Sequence, residues 1–198
     1  MAITSTPTPA WDVATLFPPQ GNWDESDYLN LTDNTRRLVE FVDGRIEVLP
    51  MPKMSHQKIV HYLANLLLAL NIGTVVFAPF RVRVRAGKYR EPDVAFMLEH
   101  HSDRVNEDFW EGADLVIEVV SDDDRDRDYV TKLRDYAEAG IGEYWIVDPV
   151  ERKITQFELV GSDYQQVAEA REGAEILSKS LPGLVAQASA IFRAGGLL

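Results

Sequence analysis

DLVIEVVSDDD, residues 114–124, sets one carboxylate in the middle of a run that otherwise reads as a buried strand. Leu115, Val116, Ile117, Val119 and Val120 are aliphatic side chains, mostly β-branched, of the kind that pack on a covered, pleated surface. Glu118 lies among them. Taking an ionised carboxylate out of water costs several kcal/mol unless a cation or good hydrogen-bond donors answer it. Glu118 therefore requires a partner, and the local sequence shows none.

A second acid in the same predicament is Asp93, in REPDVAFML on the preceding predicted strand. Adjacent strands bring two such groups within a few ångströms, where like charges stay ionised together only with a cation between them. With no cysteine in the chain, an all-oxygen site favours Mg2+ or Mn2+ over zinc. The plainer alternative makes Asp93 a cap after Pro92 and gives Glu118 an arginine. Two acids in successive apolar strands favour the metal.

Outward from these strands the pattern is mixed. DESDYLNLT reads as a short helix, and RLVEFVDGRIEVLP as a hairpin turning at Asp43-Gly44, since both turn positions want positive φ. SHQKIVHYLANLLLALN spaces Ile59, Leu63, Leu66, Leu67 and Leu70 for a helix capped by Ser55. VVFAP, FRVRVRAG and REPDVAFML are strands, the last following a turn at Gly87. Arg127 to Ala139 returns to helical spacing, with Tyr129, Leu133, Tyr136 and Ala137 on one face and Gly140 ending it. EYWIVDP is a near-continuous apolar strand, and RKITQFEL and DYQQVAEA are two more β segments separated by Gly161-Ser162. The expected fold is an α/β (α+β) mixed sheet with flanking helices and an N-terminal β-hairpin. Residues 1–22 are expected to be a loose arm, and 23–198 one domain.

The chain of 198 residues carries a net charge of -12, which speaks against coating nucleic acid by bulk electrostatics. No apolar stretch approaches the roughly 20 residues that span a bilayer, so no membrane partner is expected. MAITSTPTPA lacks a basic region before an apolar core, so no secretory signal is expected and the location is read as cytoplasmic.

Lys132 follows Glu118 on the next predicted helix, flanked by Tyr129 and Tyr136. Its long stem can reach back over the sheet and offer an ammonium to a phosphoryl group, although an arbitrary helix lysine is more often solvated. His56, at the start of the long helix, is placed to contact a phosphate or a metal-bound water, although a neutral surface histidine is the commoner reading. His61, His100 and His101 show no usable spacing. The run RVRVRAGKYR puts Arg81, Arg83 and Arg85 on one strand face, with Lys88 and Arg90 beyond. It reads either as a nucleic-acid track toward Asp93 or as a charged face that blunts a sheet edge. SDDDRDRD reads as a solvated loop.

EPDVAFM followed by DLVIEVVS resembles the PD-(D/E)XK nuclease superfamily, with Pro92-Asp93 as its PD pair and Glu118 as its acid. The order VEFVDGRIEVLP, His56, EPDVAF, DLVIEVVS and DYVTKLRDYAEAGIGEYWIVDP resembles one bacterial branch, the Uma-two family of restriction-endonuclease-like proteins, over Trp23 to Phe192. The resemblance implies a restriction-endonuclease-like core and a divalent-metal phosphodiesterase site, with DNA as substrate and a homodimer as a common assembly. It places the metal at Asp93 and Glu118 and makes Glu40 an auxiliary ligand, against the equal alternative of an outward-facing strand acid. The superfamily's lysine stands two places after its acid, where this chain has Val120; Lys132 matches the lysine that the branch carries on the next helix. The alternative from another class is a nuclease fold kept as a binding or oligomerising module.

Overall fold

The computed structural model describes residues 17–35, 37–121 and 125–198. Most of the arm expected over residues 1–22 lies outside them. At its described end, Gln20 exchanges hydrogen bonds with the backbone of Ile46 (2.8 and 3.1 Å), and the Gly21 amide donates to Gly44 (2.7 Å). Gly44 is obligatory here, because at φ 78° an added Cβ would meet the Gly21 carbonyl oxygen at 2.5 Å.

Two sheets organise the molecule. The smaller contains β1 (Val39–Val42), β2 (Arg45–Val48), β4 (Arg81–Arg85), β5 (Lys88–Arg90) and β7 (Phe109–Glu111), in the order β2-β1-β5-β4-β7. The hairpin of β1 and β2 turns at Asp43 and Gly44, both at positive φ. α1 (Glu25–Asp33), opened by an Asp24 capping box, covers this sheet with Tyr28, which stacks on Phe41 at 5.2 Å.

The larger sheet contains β3 (Gly73–Phe77), β6 (Val94–Leu98), β8 (Leu115–Val119), β9 (Glu143–Asp148), β10 (Lys153–Val160) and β11 (Asp163–Ala170), in the order β11-β10-β9-β8-β6-β3. Only β8 and β9 run parallel; the other pairings are antiparallel. α2 (Met54–Leu68) and α4 (Ala188–Ala194) bury Ile59, Leu63, Ile191 and Phe192 against one face with Leu115, Ile117 and Val119. α3 (Lys132–Glu138) and the small sheet cover the other face through Tyr136, Val82 and Trp110. A short hairpin, β12 (Glu175–Leu177) with β13 (Val185–Gln187), closes the C-terminal part.

Three expectations need correction. Lys53, whose side chain makes no capping hydrogen bond, holds the cap position of α2 that was assigned to Ser55. REPDVAFML is two strands, interrupted at Glu91-Pro92-Asp93, because proline supplies no ladder donor. The last acid of SDDDRDRD, Asp128, is not solvated but 6% exposed; Asp122, Asp123 and Asp124 lie outside the described residues.

Candidate functional site

Strand alternation decides where Glu118 points. Leu115, Ile117 and Val119 face α2, so Val116 and Glu118 face the layer that contains α3. β6 pairs β8 with Val94 opposite Ile117, and continuing that register one place sets Asp93 opposite Glu118. Asp93 fits that position: its Oδ2 accepts the Val119 amide at 2.8 Å. Both acids line one cavity of about 270 Å3, together with His56, Arg127, Asp128 and Lys132.

The partner that Glu118 required is Lys132. Its Nζ lies 2.8 Å from Glu118 Oε2 and 3.1 Å from Asp128 Oδ1, one helical turn back. Tyr136 donates to the other oxygen, Oε1, at 2.5 Å. Arg127–Thr131, ahead of α3, form a widened π-type turn, a feature frequent at functional sites; it carries Arg127 and Asp128 to the pocket.

Charge is out of balance here. Burial pushes the Glu118 carboxyl up; Lys132 pulls it down, and Asp93 and Asp128 add to the rise, leaving it at about 8. Asp128 is raised for the same reasons, burial first. Burial disfavours the Lys132 ammonium, but Glu118 and Asp128 outweigh that and keep it charged. Glu118 and Asp128 thus share one ammonium in contact, while Asp93 and Glu40 act on it from farther off. For His56, burial works against the proton and the bond to Asp93 Oδ2 (3.1 Å) for it, with a net rise. His56 Nδ1 is buried without a hydrogen-bond partner.

Among the described residues, no three His, Cys, Asp or Glu side chains converge as a ready-made metal cage. The donor chemistry nevertheless suits a hard divalent ion: Asp93 and Glu118 present carboxylate oxygens to one cavity.

Glu40 is apart from this pocket. It is fully buried, 2.5 Å from Arg90 and also paired with Arg127. The basic run is paired throughout: Arg81 with Asp33, Arg83 with Glu25 and Glu111, Arg85 with Asp43 and Glu138, Lys88 with Asp135 and Glu138, and Arg90 with Glu40 and Asp135. The structure therefore brings Asp93, Glu118, Lys132 and His56 together, and sets Glu40 and the five basic residues in ion pairs beside them.

A family model described as "Uma2: Putative restriction endonuclease" matches residues 25–189. The chain belongs to this family. A crystal structure described as a putative nuclease belonging to DUF820, from Anabaena variabilis, superposes with a TM-score of 0.71 over 87% of this chain and 98% of that one, at 17% identity. At that identity the likeness shows the fold, the restriction-endonuclease-like mixed sheet. No curated protein matches the chain.

Two members of the Uma2 chain's cluster escaped the sequence reading. Asp128 sat inside a charge run, although its place four residues before Lys132 was a readable signal. Tyr136 was read as core, since nothing in its spacing shows a hydroxyl aimed at a strand acid. No helix among the described residues is long and apolar enough to cross a membrane.

Proposed function

We infer that this chain is a divalent-metal-dependent nuclease that hydrolyses phosphodiesters, with DNA as the expected substrate and Mg2+ or Mn2+ as the ion. The observation that carries the reading is the 2.8 Å contact of Lys132 with Glu118, in a cavity that Asp93 also lines. It puts an ammonium beside the acid even though Val120 occupies the superfamily's lysine position.

Asp93 and Glu118 would hold the ion. When bound, it would supply Lewis-acid activation of water and of the scissile phosphate. Lys132 offsets charge that develops on the phosphoryl group. His56, held by Asp93 through Nε2, lines the pocket and offers its charge to a phosphate oxygen. Tyr136 fixes the carboxylate plane of Glu118. Glu40 acts from outside the pocket, clamping Arg127 at the start of the π-type turn. Arg81, Arg83, Arg85, Lys88 and Arg90 act as a scaffold of ion pairs, with strand tracking secondary.

The second reading, a binding or homodimerising module, is favoured by one feature: both Glu118 oxygens already have partners, and Lys132 sits between Glu118 and Asp128. Nicking of supercoiled plasmid across a Mn2+ titration separates the two. Metal-dependent cleavage lost in Glu118→Gln supports the nuclease. No cleavage of plasmid, single-stranded DNA or RNA under either metal supports the module.

A further inference from the structure

Two kinds of residue line the pocket. Asp93, Glu118, Asp128, Lys132 and His56 form a charged group, and the linker between β2 and α2 contributes an apolar one, Leu49-Pro50-Met51-Pro52, with Val48 beside it. Met51 is 78% exposed and Val48 55% exposed, so these side chains are held at the mouth and not sunk in the core. Such groups do nothing for a phosphate. Two prolines in four positions fix φ and pre-shape the rim, so little ordering remains to be done on binding.

The size of the space narrows the occupant. At about 270 Å3 it falls just under the ~300–1,000 Å3 usual for small-ligand pockets: room for one nucleotide, not for a base pair. A surface for continuous duplex is also poorly provided. The arginines and lysine of β4 and β5 are each tied to carboxylates, and the chain's net charge is -12, whereas duplex affinity is dominated by cationic contacts to phosphates.

We propose that the pocket takes a single unstacked nucleotide of a nucleic-acid strand, its phosphate at the charged end and its base against the Leu49–Met51 rim. The substrate class is then single-stranded, bulged or frayed nucleic acid. The phosphate end rests on the nuclease reading; the base end rests on the apolar rim. Apolar contacts to an exposed base are sequence-tolerant, because every base has a flat apolar face.

Fluorescence anisotropy of the full-length protein, with Ca2+ replacing Mg2+ or Mn2+, tests this against three labelled DNAs of one sequence: a single strand, a blunt duplex, and a duplex with a short central bulge. The single strand and the bulge are expected to bind about tenfold more tightly than the blunt duplex. Met51→Asp, at an exposed position, is expected to erase most of that preference without moving the thermal midpoint. Equal or tighter binding of blunt duplex overturns the proposal, and so does no binding to any of the three. If Met51→Asp leaves DNA binding unchanged but converts a dimer to a monomer by light scattering, the rim belongs to a second copy of the chain and the proposal is again overturned. Cleavage of the same DNAs with Mg2+ or Mn2+ is read separately. Preferential binding without cleavage refutes the nuclease reading and supports the nucleotide pocket; cleavage of blunt duplex as fast as of single strand does the reverse.

Discussion

Tyr136 donates its phenolic proton to Glu118 Oε1 at 2.5 Å, and both side chains are almost wholly buried. The bond joins α3 to β8 next to the Lys132 contact, so one helix presents a cation and a neutral donor to the two oxygens of one acid. Tyr136→Phe keeps the ring and its edge contact with Tyr144 (5.1 Å) and removes only the donor. Loss of about 1–3 kcal/mol of stability is expected, the cost of leaving a buried acceptor short of a partner. Urea unfolding measures it, and a change below about 0.5 kcal/mol would mean that water or Lys132 takes over Oε1.

Glu40 gives the clearest acid dependence. Burial alone pushes its carboxyl up, but Arg90, Lys132 and Arg127 outweigh burial and hold it at about 2, below the ordinary 4.5. A depressed folded-state pKa means that ionised Glu40 stabilises the fold above pH 4.5, and that this contribution fades as the pH falls from 4.5 toward 2. The shift corresponds to about 3 kcal/mol. Glu40→Gln is expected to be less stable than the parent at neutral pH, with the gap closing in that acid window. Urea midpoints taken at a series of pH values measure it; a gap that stays constant with pH would assign the effect of Glu40 to packing.

The strands and helices were legible because period-two and 3.6-residue patterns act through local sequence: the Asp43-Gly44 turn, α2 and the central run at 115–119 all follow from it. Asp93 and Glu118 were legible as acids out of place. What Glu118 touches was harder to read, since Tyr136 and Lys132 arrive from a helix whose rotation over the sheet is set by packing of Tyr136 and Leu133, and Asp128 comes in only through the widened turn before it. The pairing of Arg90 with Asp135 and Glu40 was illegible for a related reason: it joins two strands of the small sheet and a helix that are distant in sequence, and no single window contains it. An alternating arginine strand looks the same in sequence whether its partners are phosphates or carboxylates.

Asp93→Asn tests the ion directly. The amide oxygen can still accept from the Val119 amide, so the fold should hold, and the loss of one charge from a crowded acidic cluster should leave the thermal midpoint unchanged or raised. Added Mn2+ is expected to stabilise the parent and not the variant, because an ion that binds only the folded state raises stability in proportion to its occupancy. Thermal shift across a Mn2+ titration reads this, and equal stabilisation of both proteins would put the ion elsewhere.

Lys132 and Glu118 should separate by role. If Lys132 offsets charge at the phosphoryl group while Glu118 helps to hold the ion, removing the ammonium acts chiefly on rate, and removing the carboxylate lowers occupancy and rate together. Lys132→Met keeps most of the side-chain volume. It leaves Glu118 and Asp128 without their cation, so a stability loss of about 3–5 kcal/mol is expected in the absence of metal, partly restored when Mn2+ takes over the neutralising role. Its cleavage rate should fall by about 100-fold or more, with an unchanged or lower Mn2+ midpoint, since a competing positive charge has gone. Glu118→Gln should instead raise the Mn2+ midpoint and lower the rate at every concentration, and leave Lys132 with Asp128 as its remaining close partner among the described residues. Plasmid nicking with the three proteins in parallel, below the unfolding temperature of the weakest, gives rate and midpoint from one titration. A lysine variant that cleaves as fast as the parent would leave the ammonium a purely structural counter-charge for Glu118.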